Sequence, residues 1–230
     1  MPHTYEYPRP ALTVDAVVFG VDEEGLKLLL IERRDDPFKD CWALPGGFVD
    51  VDLDNTAEDA VARELREETA LSNLYLEQLY TFSKRGRDPR ERVVSVAYYG
   101  LVRPKDLKPT AGDDAKEVEW FRVDKLPKLA FDHKDIVKVG LDRLRGKVRY
   151  QPVGFELLPK EFTLGDLQHL YESILQRKLD RRNFRKKIQD TGVLKELDFE
   201  VGTRGRPARL YKFDQEQYNR KVKAGFNFEV

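Results

Sequence analysis

The chain has little sulfur and little histidine: one cysteine, one methionine and three histidines among 230 residues. A single thiol, Cys41, permits no internal disulfide, and with no metal knot or catalytic thiol suggested around it, it reads as a small packing residue. No apolar run approaches the ~20 residues that a membrane-spanning helix requires. The opening Met1-Pro2-His3-Thr4-Tyr5-Glu6 lacks the charged-then-apolar pattern of a leader, so a cytoplasmic protein is expected. Net charge is absent too, with 41 Lys and Arg against 41 Asp and Glu. That balance, beside 40% hydrophobic residues, excludes a disordered acidic or basic tail and implies folded cores.

The balance conceals an asymmetry. Residues 151–230 carry 16 basic against 12 acidic side chains, leaving 25 against 29 in residues 1–150. A chain of this length accommodates one domain of ordinary size and one small one. Around Arg149-Tyr150-Gln151-Pro152-Val153-Gly154 periodicity gives way to Pro and Gly, which sets the expected boundary between residues 1–150 and 151–230. The basic second part is the candidate for a polyanion.

The stretch that organises the first part is Pro45-Gly46-Gly47-Phe48-Val49-Asp50, followed by a helical run ending in Arg63-Glu64-Leu65-Arg66-Glu67-Glu68-Thr69-Ala70-Leu71. On a helix Glu64 and Glu68 are i,i+4 neighbours and Glu67 is i+3 from Glu64, so the three carboxylates share one side. Ala57, Val61 and Leu65 make the opposite, core-facing stripe. Like charges this close repel unless a cation sits among them. A hard ion such as Mg²⁺, held by one or two carboxylates and a substrate's phosphates, would fit beside a glycine turn. Arg63, four before Glu67, can neutralise part of the cluster. The alternative is an ordinary solvated acidic helix, since Glu is a good helix former.

This run resembles the Nudix box: a glycine, five residues, a glutamate, seven residues, then Arg-Glu-hydrophobic-any-Glu-Glu-any-Gly-hydrophobic. Arg63, Glu64, Leu65, Glu67, Glu68 and Leu71 match, as does Gly47 for the first glycine. The chain departs from the pattern twice. It is two residues longer between Gly47 and Arg63, so the first glutamate is either a displaced Glu58 or missing, and Ala70 stands where the box has its second glycine. Glycine there would end the helix at positive φ, which costs alanine roughly 1 kcal/mol. The resemblance implies an α/β/α sandwich, with Glu64, Glu67 and Glu68 as metal ligands and Arg63 orienting the helix for catalysis.

Around the helix, Leu12–Phe19 and Lys27–Ile31 read as a strand hairpin, with Arg33, Arg34 and Trp42 in the loop leading to the glycine turn. Leu74–Phe82 and Val93–Val102 read as a second strand pair, and Val118–Val123 as one more strand. A helix capped by Asp132 is expected up to Gly146. Arg85, Arg87, Arg90 and Arg92 crowd the tip of the second pair, and guanidinium forks match phosphate oxygens. Arg34, Trp42, Gly46, Gly47, Arg87 and Arg90 are therefore the candidate effector-binding residues. His133 is expected to pack on Phe131 at a helix start.

In the second part Thr163 and Asp166 form a capping box for a helix with apolar Leu164, Leu167, Leu170, Tyr171 and Ile174. A short loop leads to Asp180, the N-cap of Arg181-Arg182-Asn183-Phe184-Arg185-Lys186-Lys187-Ile188. Helix, turn and basic helix is the helix-turn-helix order, in which the second helix enters the major groove. Two strands, Leu194–Val201 and Ala208–Phe213, flank Gly202-Thr203-Arg204-Gly205-Arg206-Pro207 and complete a winged helix. Arg181, Arg182, Asn183, Arg185, Lys186, Arg204 and Arg206 are the candidate DNA contacts. A solvated basic helix or a protein-docking module remains the alternative.

A Nudix domain followed by a winged helix resembles the Nudix-related transcriptional regulators of NAD metabolism. Arg87-Asp88-Pro89-Arg90, Arg92-Val93-Val94-Ser95, Ala130-Phe131-Asp132-His133, Phe162-Thr163-Leu164, Asn183-Phe184-Arg185-Lys186 and Gly205-Arg206-Pro207-Ala208 carry the likeness. The resemblance implies a homodimeric repressor that binds a palindromic operator in double-stranded DNA and releases it when ADP-ribose or a related nucleotide fills the Nudix pocket. Two alternatives stand beside it: a Mg²⁺-dependent ADP-ribose pyrophosphatase, alone or combined with the regulatory role, and a regulator that senses a sugar.

Overall fold

The computed structural model describes residues 6–72, 74–106, 110, 115–200 and 207–229. The chain forms two compact units: residues 1–20 with 27–141, and residues 142–230 with 21–26.

In the first unit the hydrophobic run of the opening hairpin becomes β1 (Ala11–Asp22) and β2 (Gly25–Arg33). β1 is buried from Thr13 to Gly20, as suits a strand covered on both faces. Next come β3 (Trp42–Ala43), β4 (Gly46–Phe48), β5 (Tyr75–Phe82), β6 (Val93–Leu101) and β7 (Ala115–Arg122). One mixed sheet results, ordered β3-β2-β1-β6-β5, with β4 on β1 and β7 on β2. β6 lies parallel to β1, Ala11 opposite Val93 and Phe19 opposite Leu101.

The short β4 fixes the glycine turn. It pairs antiparallel with β1, Val14 opposite Gly47 and Asp15 opposite Gly46. Gly46 has φ +151, and a Cβ there would stand 2.2 Å from the Val14 carbonyl oxygen, so only glycine lets the turn lie this close to β1. α1 (Ala57–Thr69) packs on the sheet through Ala60, Val61 and Leu65, which join Val14, Ala16, Val18, Leu29 and Tyr98 in the core. Burying Val61 and Leu65 contributes about 1.5–3 kcal/mol each. Thr56 and Asp59 start the helix with a reciprocal capping box. It ends at Ala70 in the left-handed region, φ 59, with the Ala70 N–H donating to Arg66 O.

α2 (His133–Tyr150) runs a turn beyond Gly146, where the sequence suggested an end. Fully buried Leu144 and Val148 flank that glycine and anchor the helix across it, which offsets the ~1 kcal/mol that glycine costs in a helix interior.

In the second unit β8 (Phe162–Thr163), α3 (Leu164–Leu175), α4 (Arg181–Asp190), β9 (Leu194–Phe199) and β10 (Arg209–Phe213) follow in order. A final helix, α5 (Gln215–Lys223), has no counterpart in the sequence reading; it buries no residue of its own and so has no strong apolar stripe. The strands form a sheet ordered β8-β10-β9, and α3 and α4 pack through Tyr171 and Phe184, ring centroids 5.2 Å apart. This is winged-helix order. Residues 201–206, between β9 and β10, lie outside the described residues.

Candidate functional site

The two residues added between Gly47 and Arg63 belong to a turn of aspartates. Asp50 Oδ1 accepts the N–H groups of Asp52 and Leu53, at 2.8 and 3.1 Å, and Asp54 Oδ2 accepts that of Asp50 at 2.8 Å. The turn presents Asp54 to Arg63, whose Nε and Nη2 donate to its two oxygens at 3.0 and 2.8 Å. Arg63 Nη1 also donates to Glu64 Oε1 at 2.8 Å and Glu67 Oε2 at 2.9 Å, and Nη2 to Phe48 O at 3.1 Å. The cation among the carboxylates is therefore this guanidinium. Asp54 above all, then Glu67, holds Arg63 well above its ordinary range, while Arg63 holds Asp54 below the usual carboxylate range.

The box glutamates have different surroundings. Glu68 is buried and accepts the Gly46 N–H at 2.8 Å. Glu64 lies against Gly47, where an added Cβ would meet Glu64 Oε1 at 2.5 Å. Glu64 and Glu68 line a cleft of about 640 Å³; Glu67, half exposed, does not. Glu58 is also outside the cleft lining. Its carboxylate faces the Tyr98 hydroxyl, which burial first and Glu58 second push up to about 12. Among the described residues no three acidic, imidazole or thiol groups converge closely enough to enclose a metal ion.

The candidate effector residues divide. Arg34, Gly46, Gly47 and Arg90 line the cleft. Arg34 Nη2 donates to Ala115 O at 3.1 Å. Arg90 pairs with Asp88 at 2.7 Å, and its guanidinium carbon lies 4.9 Å from the Phe48 ring centre. Trp42 is not at the cleft: its ring meets Phe121 edge-on at 4.6 Å and its carbonyl accepts the Ala130 N–H, so it holds scaffold. Arg87 points inward, 5% exposed, doubly bonded to Asp132 at 2.7 and 2.9 Å and 3.4 Å from Asp15. It borders only an inner recess behind the glycine turn. Arg85 and Arg92 are exposed and border neither cavity.

Arg33 also lines the cleft but is not among the candidates named from the sequence. It lines both cavities, donates to the carbonyls of Pro37 at 2.9 Å and Asp35 at 3.3 Å, and stands 5.0 Å over Phe131. Burial, then the neighbouring Arg90, depress its pKa, as two guanidiniums facing one cavity should. Strand alternation would have found it, since Leu29, Ile31 and Arg33 share one face of β2.

Below the recess His133 opens α2, 5% exposed, its ring 5.2 Å from Phe131 as expected. Its Nδ1 accepts the Leu44 N–H at 2.9 Å, so the ring is neutral with its proton on Nε2, 3.3 Å from Asp15 Oδ1. Burial lowers its pKa, against the opposing pull of Asp15. Asp15 also accepts from Ser95 Oγ.

In the second unit Asp180 caps α4 by accepting the Asn183 N–H at 2.8 Å, and Phe184 and Ile188 anchor the helix. Arg181, Arg182, Asn183 and Lys186 are exposed. Arg185 is half buried, with no partner for its Nε, and burial, then Arg181, lower its pKa. Arg204 and Arg206 lie outside the described residues.

A Nudix domain profile matches residues 9–139, and a profile for the NrtR DNA-binding winged helix domain matches residues 154–213. The chain is 38% identical over 225 residues to an ADPR responsive transcriptional repressor, NtrR, of Acinetobacter baylyi, covering 97% of this chain and 87% of that one. It is similar to Shewanella oneidensis NrtR solved with a 27mer DNA, with TM-score 0.78, 34% identity and coverage of 94% and 97% of the two chains. The Nudix domain of that protein, solved with ADP ribose, matches with TM-score 0.56 and 37% identity over 60% of this chain and 90% of that one. An ADP-ribose pyrophosphatase of Methanocaldococcus jannaschii is 48% identical over 132 residues, 57% of this chain and 73% of that one. The chain belongs to the Nudix family, in the NrtR-type group that carries a winged helix behind the Nudix domain.

Proposed function

We propose that the chain is a transcriptional repressor of NAD metabolism genes that releases DNA in response to ADP-ribose. Residues 1–150 sense the effector and residues 151–230 read DNA. The observation that carries this reading is α4, a helix capped by Asp180 with Arg181, Arg182, Asn183 and Lys186 exposed along it. It is supported by end-to-end likeness to proteins described as an ADPR responsive repressor and as a DNA complex. In the cleft, Arg33, Arg34 and Arg90 supply cations for a diphosphate, Gly46 and Gly47 allow close approach, and Phe48 offers a ring face. Arg87 supports the floor through Asp132.

The protein acts in the cytoplasm as a homodimer on a palindromic operator, with half-sites about one DNA turn, ~34 Å, apart. Control follows from linkage: an effector that binds the DNA-incompetent dimer better shifts the population by no more than its differential affinity. The test is a gel shift at stated salt with DNA from upstream of the gene itself, with and without ADP-ribose. A specific shift that ADP-ribose abolishes supports the repressor; a shift that ADP-ribose leaves unchanged rejects this effector.

A second reading, hydrolysis of ADP-ribose, is favoured by the retained Glu64, Glu67 and Glu68 and by the likeness to an archaeal pyrophosphatase. The donor set suits Mg²⁺, since Glu64 and Glu68 are hard oxygen donors facing the cleft beside Gly46 and Gly47. When bound, the ion would neutralise the diphosphate and lower the pKa of water. Arg63 donates to Glu64 Oε1 and the Gly46 N–H to Glu68 Oε2, bonds that orient the two carboxylates. Glu64→Gln should abolish any Mg²⁺-dependent release of AMP; turnover at the wild-type rate would reject Glu64 as a ligand.

A further inference from the structure

The α3–α4 connection, residues 176–180, is short and is tied to helices at both of its ends. At the start, Arg145 of α2 donates from Nε to Ile174 O at 3.2 Å and from Nη2 to Gln176 Oε1 at 2.8 Å, beside the left-handed C-cap at Gln176. At the other end both backbone polar groups of Leu179 are met by α3 side chains. Glu172 Oε1 accepts the Leu179 N–H at 3.0 Å, and Gln168 Nε2 donates to the Leu179 carbonyl at 3.2 Å. The two side chains, one helical turn apart, are joined by a 3.0 Å bond from Gln168 Nε2 to Glu172 Oε1. The second Glu172 oxygen takes Lys178 Nζ at 2.8 Å.

Leu179 immediately precedes Asp180, the residue that caps α4. An exposed turn ordinarily leaves its peptide groups to water, and neither bond is needed to bury apolar surface, which Tyr171, Phe184 and Ile188 already supply. The bonds instead fix the point from which α4 departs. Glu172 is 14% exposed, and Lys178, then the Leu179 N–H, push its carboxyl down to about 2, so the bracket is ionised throughout the physiological range.

We propose that Glu172, assisted by Gln168, is a positioning residue for DNA reading: by holding Leu179 it sets where α4 begins and thus the register of Arg181, Arg182 and Asn183 on base edges. The role rests on the reading of α4 as the DNA-reading helix. Base contacts tolerate little displacement, whereas phosphate contacts made by flexible basic side chains tolerate more. Loss of the bracket therefore reduces discrimination rather than general attraction for DNA.

The test uses the full chain and two duplexes of equal length and composition. One is recovered by the wild-type protein from a random 30-bp library by repeated selection, and the other is its scrambled version. Fluorescence anisotropy at fixed salt should find that Glu172→Ala binds the selected duplex about tenfold more weakly, the order of one lost base contact, with the scrambled duplex unchanged. Glu172→Gln, which keeps an acceptor for the Leu179 N–H, should recover most of the loss. Gln168→Met should weaken selected binding in the same direction and serves if Glu172→Ala does not fold. Equal weakening on both duplexes, no weakening in either variant, or a Glu172→Gln as poor as the alanine variant would overturn the role. If the wild-type chain selects no duplex at all, the DNA-reading function fails before this residue is at issue.

Discussion

Replacing Arg63 tests how the box helix is held. The Asp54 side chain is 2% exposed and the Arg63 side chain 14%, and the pair makes two near-parallel bonds of 2.8 and 3.0 Å. Arg63→Ala leaves the Asp54 carboxylate with the Asp50 N–H as its remaining partner at this turn. Breaking a buried pair from one side costs about 3–5 kcal/mol; the surviving bond and partial solvent access put this case near 3 kcal/mol. The exposed Glu67 partner adds only about 0.3–0.5 kcal/mol. Trp42 and Trp120 are the only tryptophans and both lie in the first unit, so intrinsic fluorescence during urea unfolding follows that unit alone. With a slope of about 2 kcal/mol/M the midpoint should fall by roughly 1.5 M. In Asp54→Asn with Arg63→Ala, the amide no longer demands a cation, so the double variant should be no less stable than Arg63→Ala, a coupling of at least about 1 kcal/mol. The folded pKa of Asp54 lies below its ordinary 3.8, so the pair's contribution is full above that value and is lost as pH falls through the lowered one. The cost of Arg63→Ala should shrink correspondingly in acid. A single-variant cost under about 1 kcal/mol, or additivity within about 0.5 kcal/mol, would refute the reasoning.

Ala70→Gly should stabilise the first unit. The left-handed conformation costs an L-residue about 1–2 kcal/mol, a glycine loosens the unfolded chain by about 0.4–1 kcal/mol, and exposed Ala70 gives up no packing, so a net gain of about 0.5–1 kcal/mol is expected in the same urea assay. His133 is held neutral in the folded state, its pKa below the ordinary 6.5, so stability is full above 6.5 and declines as pH falls from there towards the folded value. The wild-type urea midpoint should drop between pH 7.5 and 5.5, and His133→Leu should flatten that slope; an equally steep slope in the variant would count against it. Arg33→Ala should weaken ADP-ribose binding by calorimetry at least tenfold, with Trp42→Phe within about twofold of wild type, because Arg33 lines the cleft and Trp42 does not.

Local chemistry was readable from the chain alone wherever a residue acts on its near neighbours. The Thr163–Asp166 capping box, the Asp180 cap, the 57–61–65 stripe and the φ > 0 demand at position 70 are short-range consequences of helix geometry, and the structure has each of them. The spacing of Glu64, Glu67 and Glu68 likewise fixed their common helix but not their partners. Partners come from the sheet. The pairing of β4 with β1 directs Glu68 to the Gly46 N–H, and the inserted aspartate turn brings Asp54 to Arg63 across nine residues. Four arginines in one turn look equivalent in a string of letters. Yet Arg87 finds Asp132 from 45 residues away and is buried, Arg90 reaches the cleft, and Arg85 and Arg92 stay outside it. The reason is range: helix and cap preferences are decided within a few residues, whereas burial and ion pairing depend on which strands close beside one another, and that is set only when the whole core packs.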